Sequence, residues 1–424
     1  LPATVVLGSL LLATLPAPAH DWPMWRYDAG RTAFSPEELA PELHLQWVRQ
    51  YGQREPVWDD ALNRDLMPLD RVFEPIVLGD TLYLGFNDRD KLVALDIRTG
   101  AEKWTFYADG PVRLPPAGHR NRIYFTSDDG YLYCLDAATG GLRWKFRGGP
   151  TERKILGNKR LISTWPARGG VVLYDGVAYF AASIWPFMGT FIYALDAETG
   201  AVVWRNEGTG ADYQLQPHNS PAFAGVAPQG AMAAVADKLL IPGGRSVPAC
   251  FDRHNGKPLY YHLAKYNKTG GAFVAADERH FFNHHRDRDT HIYEVETGEV
   301  VAKGVGRYPV LAKFAYYTSG ERIAILDPLR PKEKPTVSLE VDATGDLIRA
   351  GSRLYAGGEG RITAVDLLWN PATKTRGLRA AWERQVDGRV ERLVAAGGML
   401  FAVTLDGKVM AFGAKRVPVK TYAS

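Results

Sequence analysis

An eleven-residue pattern that recurs along the chain is the feature that most limits its possible folds. Near-complete copies occupy Ala94–Trp104 (ALDIRTGAEKW), Cys134–Trp144 (CLDAATGGLRW) and Ala194–Trp204 (ALDAETGAVVW). Each opens on a small residue, carries Asp third and Thr-Gly sixth and seventh, and ends in Trp. A degraded copy runs from Cys250 to Tyr260. Self-similarity at a period of tens of residues predicts a repeat architecture in which neighbouring units complete one another.

Each repeat is predicted to form a four-stranded antiparallel sheet with strands a to d. Upstream of the second copy, RIYFTSDDGYLYCLD alternates polar and apolar residues around Asp129-Gly130, the signature of a tight hairpin. The Thr-Gly turn then reverses the chain into the Trp strand. We count eight units, whose first strands are expected to begin near Phe73, Val112, Val171, Ala231, Ala272, Val310, Leu347 and Leu393.

The two ends of the chain are predicted to close a ring. Leu43–Tyr51 (LHLQWVRQY) contains a Trp strand with no hairpin before it, whereas the last unit, Met399–Phe412, has the hairpin and lacks the Trp strand. Because an exposed sheet edge must be covered, the first strand should complete the last blade. The expected fold is all-β, an eight-bladed β-propeller spanning residues 20–413 as one domain, with 414–424 as a tail or the start of a linker.

Residues 1–19 are read as an incomplete secretory signal peptide, because an apolar stretch ends in the small-x-small triplet Ala17-Pro18-Ala19. The expected location is therefore periplasmic or secreted. Cys134 and Cys250 are the only cysteines, and their repeat positions predict buried small side chains, not a disulfide. The 51 basic and 47 acidic residues form no blocks, which argues against a nucleic-acid partner, and no transmembrane run follows residue 19. A monomer is expected.

The repeats, together with the opening DWPMWRYDAGRTAFSP (Asp21–Pro36), resemble the pyrroloquinoline-quinone-like (PQQ-like) repeat propellers. The strings STWPARGG, SIWPFMGTFIYALDAETG and PGGRSVPACFDR resemble an uncharacterised secreted bacterial branch of planctomycete type. The family includes quinoprotein alcohol and sugar dehydrogenases and the propeller that helps to assemble outer-membrane barrels. The resemblance implies the fold, but folds of this kind host several functions.

The quinoprotein dehydrogenases of that family carry an adjacent Cys-Cys disulfide beneath the quinone, and neither Cys134 nor Cys250 has a cysteine beside it. A CxxCH haem motif is also absent from the sequence. We therefore expect no cofactor and favour a non-catalytic module. A PQQ-dependent dehydrogenase stays open as an alternative.

Enlarged loops point to one face of the ring. In an antiparallel blade, the d-to-a and b-to-c connections share a face, here called the loop face, and the a-to-b and c-to-d turns share the opposite turn face. The extra residues lie in two d-to-a segments, Arg147–Gly170 and Arg205–Gly230, and in the b-to-c loop Ser183–Thr190. The predicted binding face is therefore built from the loops of blades 2 to 5, with candidate ligand-binding residues Arg160, Trp165, Arg168, Trp185, Tyr213, Gln216, His218 and Arg245.

Aromatic rings beside guanidinium groups suit a glycan, a peptide or an envelope protein. Three alternatives stay open: Trp165 and Trp185 could merely fill the channel mouth, the module could be a scaffold in an envelope complex, or it could cleave polysaccharides. In the last case His218, Tyr213 and Arg245 would act as base, acid and charge neutraliser. The histidine-rich run His280–His291 lacks regular ligand spacing, so no metal site is expected.

Overall fold

The structure is a computed structural model that describes residues 20–57, 69–157, 159–215, 219–243, 246–263, 269–285 and 289–423. The expected signal peptide, residues 1–19, lies outside the described residues. Eight sheets form the blades of a β-propeller, as predicted, and two further sheets are two-stranded hairpins. A short 3₁₀ helix, Pro186–Met188, lies in the b-to-c loop of blade 3.

The strands follow the repeat in chain order. Ahead of blade 1 lie β1 (Phe34–Ser35) and β2 (His44–Gln50). Blade 1 contains β3 (Ile76–Leu78), β4 (Thr81–Phe86), β5 (Lys91–Asp96) and β6 (Glu102–Tyr107). Blade 2 contains β7 (Ala117–His119), β8 (Arg122–Thr126), β9 (Tyr131–Asp136) and β10 (Leu142–Arg147), and the hairpin β11 (Lys154–Gly157) and β12 (Arg160–Ser163) follows it.

Blades 3 and 4 are separated by the second hairpin. Blade 3 contains β13 (Gly169–Tyr174), β14 (Val177–Ala182), β15 (Phe191–Asp196) and β16 (Val202–Asn206). The hairpin is β17 (Tyr213–Leu215) and β18 (Pro221–Phe223), and β19 (Gly230–Ala231) then pairs in parallel with β13. Blade 4 contains β20 (Ala233–Val235), β21 (Lys238–Ile241), β22 (Ala249–Asp252) and β23 (Pro258–Tyr260).

The remaining blades complete the ring. Blades 5 and 6 keep four strands although only short remnants of the pattern occur there, YEVETG at Tyr293–Gly298 and AILD at Ala324–Asp327. Blade 5 contains β24 (Thr269–Ala276), β25 (His280–His285), β26 (Thr290–Glu294) and β27 (Val300–Ala302). Blade 6 contains β28 (Val310–Ala312), β29 (Ala315–Thr318), β30 (Arg322–Leu326) and β31 (Val337–Glu340). Blade 7 contains β32 (Asp346–Ala350), β33 (Arg353–Gly358), β34 (Arg361–Asn370) and β35 (Thr375–Gln385); blade 8 begins with β36 (Val390–Ala396), β37 (Met399–Thr404) and β38 (Lys408–Gly413).

The predicted closure is confirmed, because β2 is the fourth strand of blade 8. It pairs antiparallel with β38 over its whole length, and Trp47 lies opposite Ala411. A last strand, β39 (Lys420–Ala423), pairs in parallel with the outer edge of β2. Part of the stretch expected as a tail therefore covers the edge that β2 would otherwise expose.

Aromatic residues of strand d join neighbouring blades. Within blade 1, Trp104 lies opposite the small residue Ala94. Its ring also packs on Gly140 in the Thr-Gly turn of blade 2, where a Cβ atom would lie 2.7 Å from the indole. Gly140 has φ +72°, so both its backbone and its neighbour favour glycine. The same contact occurs between Trp47 and Gly100, Trp144 and Gly200, Trp204 and Gly256, and Tyr260 and Gly298.

The segment His20–Glu37, here called the N-terminal plug, crosses the axis of the ring. It hydrogen-bonds to the first strand of each blade, or to the turn that follows that strand. In blades 1 to 4 it contacts Val77, Gly118, Val171 and Ala234, and in blades 5 to 8 it contacts Ala276, Leu311, Arg349 and Gly397. Because these positions lie towards the a-to-b turns, the plug closes the turn-face end of the axial channel.

Cys134 and Cys250 are free and fully buried in the third strands of blades 2 and 4, as predicted. Among the residues that the structure describes, no helix has the length and hydrophobicity needed to span a bilayer.

Candidate functional site

The enlarged loops meet on the loop face and are tied together there by hydrogen bonds. Arg160, in the hairpin β11–β12, donates to the Asp88 carbonyl in the b-to-c turn of blade 1 at 3.0 Å. Trp165 Nε1 donates to the Met188 carbonyl in the b-to-c loop of blade 3 at 2.7 Å. Thr190 in that loop donates to the Val226 carbonyl at the base of the second hairpin at 2.6 Å. The three insertions therefore share a common, fixed base.

Large apolar side chains stand exposed above this base. Seven of the eighteen exposed large hydrophobic residues in the described part of the chain belong to the three insertions. Exposed apolar side chains that gather on one face of a soluble protein are a feature of interaction sites. We call this set the apolar crest, and it consists of Leu156, Leu161, Trp185, Phe187, Tyr213, Leu215 and Phe223.

The hairpin β17–β18 shows how the crest is built. Tyr213 pairs across the hairpin with Phe223, and Leu215 pairs with Pro221. Because alternate residues of a strand share a face, all four apolar side chains lie on one side of the hairpin. The rings of Tyr213 and Phe223 are 5.2 Å apart, and Phe223 is 61% exposed. Among the residues that the structure describes, none covers this side of the hairpin enough to bury Tyr213, Leu215 or Phe223.

A groove of about 500 Å³ lies between blades 3 and 4, lined in part by residues on either side of that hairpin in the chain. Thr209, Asp212 and Val226 form one wall, and Leu259 and Tyr261 belong to the other. Pockets of about 300–1,000 Å³ are the usual size for small-molecule sites. The groove adds a recess beside the part of the crest that the hairpin carries.

Arg168, predicted as a ligand contact, lies in a buried ion-pair chain. Its Nε and Nη2 each donate to Asp128 at 2.9 Å, and Arg113 donates to Asp128 and to Asp70 at 2.6 Å. Burial alone would raise the pKa of Asp128, but Arg168 and Arg113 hold it below its ordinary value. The chain links the entrances of blades 1, 2 and 3, so Arg168 positions the loop base.

The other predicted site residues divide into two groups. Trp165 is buried at 8% exposure, and its ring meets Phe191 edge-on at 6.1 Å, so it anchors the insertions. Arg160 is half-buried and pairs with Asp90. Trp185 and Tyr213 are exposed, at 48% and 64%. Gln216, His218 and Arg245 lie outside the described residues, so the base, acid and neutraliser set of the polysaccharide-cleaving hypothesis stays untested.

Sequence reasoning did not single out Leu156, Leu161, Phe187, Leu215 and Phe223. A local signal for two of them is present, since Tyr213-x-Leu215 and Pro221-x-Phe223 alternate around a polar turn. The histidine-rich run has its own packing, in which the rings of His285 and His291 stack at 4.4 Å. Within the described part of the chain, which omits 286–288, no group of three or more acidic, His or Cys side chains could hold a metal.

A small cavity lies at the axis of the ring, above the plug. It measures about 20 Å³, and Trp25 of the plug projects into it and donates to Glu74 at 2.8 Å. Arg392 donates to both Glu74 oxygens at 2.7 Å. His284 stacks on Phe273 at 4.6 Å, and burial, aided by Arg392, lowers the pKa of His284 to about 3. A tricyclic quinone needs a pocket of about 300 Å³ or more, so this cavity, as the described residues line it, is too small for that cofactor.

Comparisons with known proteins agree with this architecture. A family model described as the outer membrane protein assembly factor BamB matches residues 46–303, more than half of the chain. The dehydrogenase subunit of a quinone alcohol dehydrogenase from Gluconobacter oxydans (strain 621H) is 32% identical over 146 residues, which are 31% of this chain and 18% of that protein. The match thus spans less than a fifth of the relative's length.

Two solved structures resemble the chain in fold alone. The quinohemoprotein alcohol dehydrogenase from Comamonas testosteroni superposes with a TM-score of 0.61 at 14% identity, over 94% of this chain and 81% of that one. BamB from Moraxella catarrhalis superposes with a TM-score of 0.54 at 12% identity, over 88% of this chain and the whole of that one. The same fold therefore occurs both in an alcohol dehydrogenase and in BamB.

Proposed function

This chain belongs to the PQQ-like repeat propeller family, and from that premise we propose that it is a binding module that holds a partner protein on its apolar crest. The observation that carries the proposal is the crest itself, a set of large exposed apolar side chains on a base fixed by hydrogen bonds. Hydrophobic and aromatic anchors of this kind dominate the binding energy of protein interfaces.

A protein segment fits the crest better than a glycan does. The two described arginines of the predicted ligand set, Arg160 and Arg168, already donate to Asp90 and Asp128. They leave few oriented donors for sugar hydroxyl groups, whereas Leu156, Leu215 and Phe223 offer broad apolar contact. The groove between blades 3 and 4 has room for one anchoring side chain of the partner. The matched family model is named for an assembly factor, which is consistent with a protein partner.

We further propose that the module works without the quinone. The support is geometric: Glu74 accepts hydrogen bonds from both Trp25 and Arg392 beside an axial cavity of about 20 Å³. Cys134 and Cys250 are free and lie in different blades. They therefore do not form the adjacent Cys-Cys disulfide that the quinoprotein dehydrogenases of the family carry beneath the quinone. On this proposal, the similarity to the quinone alcohol dehydrogenase subunit reflects a shared fold and not a shared cofactor.

Export to the periplasm or the cell surface is part of the same proposal. It is supported by the apolar stretch before Ala19 in the sequence and by a family model named for an outer-membrane assembly factor. Fractionation of cells that express the natural gene would test it, with the chain expected outside the cytoplasm.

The binding proposal can be tested by affinity capture from the envelope fraction of the source organism. A Leu215→Ser/Phe223→Ser variant removes apolar anchors while it keeps the β17–β18 backbone pairs. We expect the natural chain to retain a defined partner that the variant binds at least about tenfold more weakly. The matched control is Leu142→Ser/Val203→Ser, which changes two side chains exposed on the outer strands of blades 2 and 3. Equal retention by the crest variant would contradict the proposal.

A further inference from the structure

The turn face of blades 6 and 7 carries a second exposed surface, on the side opposite the crest. Three projecting segments form it: the a-to-b turn 313–314, the c-to-d loop 327–336 and the c-to-d arm 367–379. They expose Phe314 at 67%, Leu329 at 72%, Leu368 at 41% and Trp369 at 58%. The segments belong to two adjacent blades. Because the a-to-b and c-to-d connections of antiparallel blades share a face, all three leave the ring on the turn face.

The arm of blade 7 is unusual among the blades. Strands β34 and β35 have 10 and 11 residues, and they continue beyond Asp366, the position at which blades 1 to 3 turn. Four residue pairs, from Leu367 and Leu378 to Asn370 and Thr375, extend the hairpin by about 13 Å. Trp369 and Arg376 are cross-strand partners, so an aromatic ring and a cation stand side by side near its tip.

Positive charge is concentrated in the same segments. With Asp366, the cross-strand partner of Arg379, they contain seven basic residues against three acidic ones, and the net charge of 7 − 3 = +4 equals that of the whole chain. Arg330 pairs with Glu333, and Arg379 pairs with Asp366. Within the described residues, the other five basic side chains have no ion-pair partner: Lys313, Lys332, Lys334, Lys374 and Arg376.

We infer that this surface docks on an anionic lipid membrane. Exposed Trp, Phe and Leu side chains on convex turns can enter the headgroup layer, where an indole ring is favoured. Lysine and arginine beside them attract acidic lipids. The four apolar side chains stand on three separate projections and do not line a groove, so a flat, deformable partner matches them better than a folded protein does. The membrane would then lie against the turn face and leave the crest free.

The inference can be tested by co-sedimentation of the full chain with phosphatidylcholine vesicles, with and without phosphatidylglycerol. We expect binding only when phosphatidylglycerol is present, and weaker binding as salt rises. Lys374→Glu/Arg376→Glu and, separately, Trp369→Ser should each weaken binding by about tenfold or more. The matched controls are Lys257→Glu, at an exposed position on the turn face of blade 4, and Tyr107→Ser, on the outer strand of blade 1; both should bind as the natural chain does.

Circular dichroism and thermal unfolding would establish that each variant is folded. Equal binding to both kinds of vesicle, no binding to either, or no effect of the arm substitutions would overturn the inference. Binding to soluble polyglutamate but not to vesicles would also overturn it, because the surface would then belong to an acidic protein. None of these outcomes touches the crest, so the two proposals stand or fall separately.

Discussion

Two arcs of the ring are held together in different ways. At the junctions from blade 8 through blade 1 to blade 5, an aromatic residue of strand d packs on the glycine of the next blade's turn. Between blades 5 and 6, and between blades 6 and 7, the described residues show no such aromatic–glycine contact, and clefts of about 720 and 360 Å³ lie at the outer edge. Blades 3 and 4 keep the contact between Trp204 and Gly256 beside their own groove. We call the first set of junctions the docked arc, and the three remaining junctions, from blade 5 to blade 8, the open arc.

The cause of the difference lies in a few positions. In blade 1, the small Ala94 of strand c lies opposite the large Trp104 of strand d. In blade 5 the order is reversed, because the large Ile292 of strand c lies opposite the small Ala302 of strand d. Blade 7 keeps its aromatic residue, but the strand that follows in blade 8 comes from the start of the chain and brings no Thr-Gly turn. Trp382 Nε1 accordingly has no hydrogen-bond partner among the described residues.

The N-terminal plug supplies part of what the open arc lacks. Its strand β1 adds to blade 7 through Phe34 and Arg349, whose guanidinium lies 4.4 Å from the Phe34 ring. Arg26 of the plug pairs with Asp346 at 2.7 Å in the buried interior. The comparison teaches that a ring can lose edge contacts between some blades when a central segment joins those blades from inside.

The largest expected effect separates the two arcs directly. Trp204→Ala should lower the free energy of unfolding by about 3–5 kcal/mol, because a buried indole that joins blades 3 and 4 leaves a cavity. Trp382→Ala should cost about 1–2 kcal/mol, since its ring is partly exposed and bonds to no neighbouring turn. Chemical denaturation of both variants measures the difference. Equal losses would show that the docked contact does not stabilise the ring.

Acid should weaken the axis beside blade 5 in particular. Burial holds His284 neutral with a pKa of about 3, whereas an unfolded histidine titrates near pH 6.5. As pH falls from about 6.5 to 3, only the unfolded state gains the proton, so stability drops by up to about 1.4 kcal/mol per pH unit. Above pH 6.5 this contribution is constant. His284→Phe keeps a ring against Phe273 and should flatten the pH profile of unfolding.

The matched control for that profile is His254→Asn, at an exposed position in the Asn-Gly turn of blade 4. This variant should follow the natural chain at every pH. If the His284→Phe variant lost as much stability at low pH as the natural chain, the prediction would be wrong, and the acid sensitivity would come from another buried group.

The smallest effect concerns a single hydrogen bond. Trp204 Nε1 donates to the Arg253 carbonyl at 2.7 Å, so Trp204→Phe should cost about 1 kcal/mol beyond the change in packing. Trp382→Phe removes a donor with no partner and should change stability by less than about 0.5 kcal/mol. Thermal unfolding of the two variants provides the measurement. A larger loss for Trp382→Phe would reverse the assignment of the arcs.

The ring could be predicted from sequence because its turns are local. In each clear copy the motif Asp accepts hydrogen bonds from the Thr three residues later, as between Asp96 and Thr99 at 2.8 and 2.7 Å. Such contacts depend on neighbours in the chain, so the blades could be counted and the closing strand identified. The eroded copies of blades 5 and 6 kept enough alternation to form sheets.

The details of the candidate site depended on distant residues. Arg168 finds its carboxylate partner, Asp128, 40 residues earlier in the chain, so an arginine in an inserted loop gave no sign that it would be buried. The contact of Trp165 with Met188 joins two insertions in the same way. The alternating direction of the strands in each blade located the loop face. It did not distinguish the side chains that support the loops from those that stand exposed.

The most direct test of the account is hydrogen exchange of the captured complex, compared with the free chain and followed by mass spectrometry. The account predicts slower exchange on binding in β11–β12, in residues 183–190 and in β17–β18, with the outer strands of the blades unchanged. Protection confined to the outer strands, or to the axial channel around Trp25 and Glu74, with unaltered exchange in the three insertions, would contradict it.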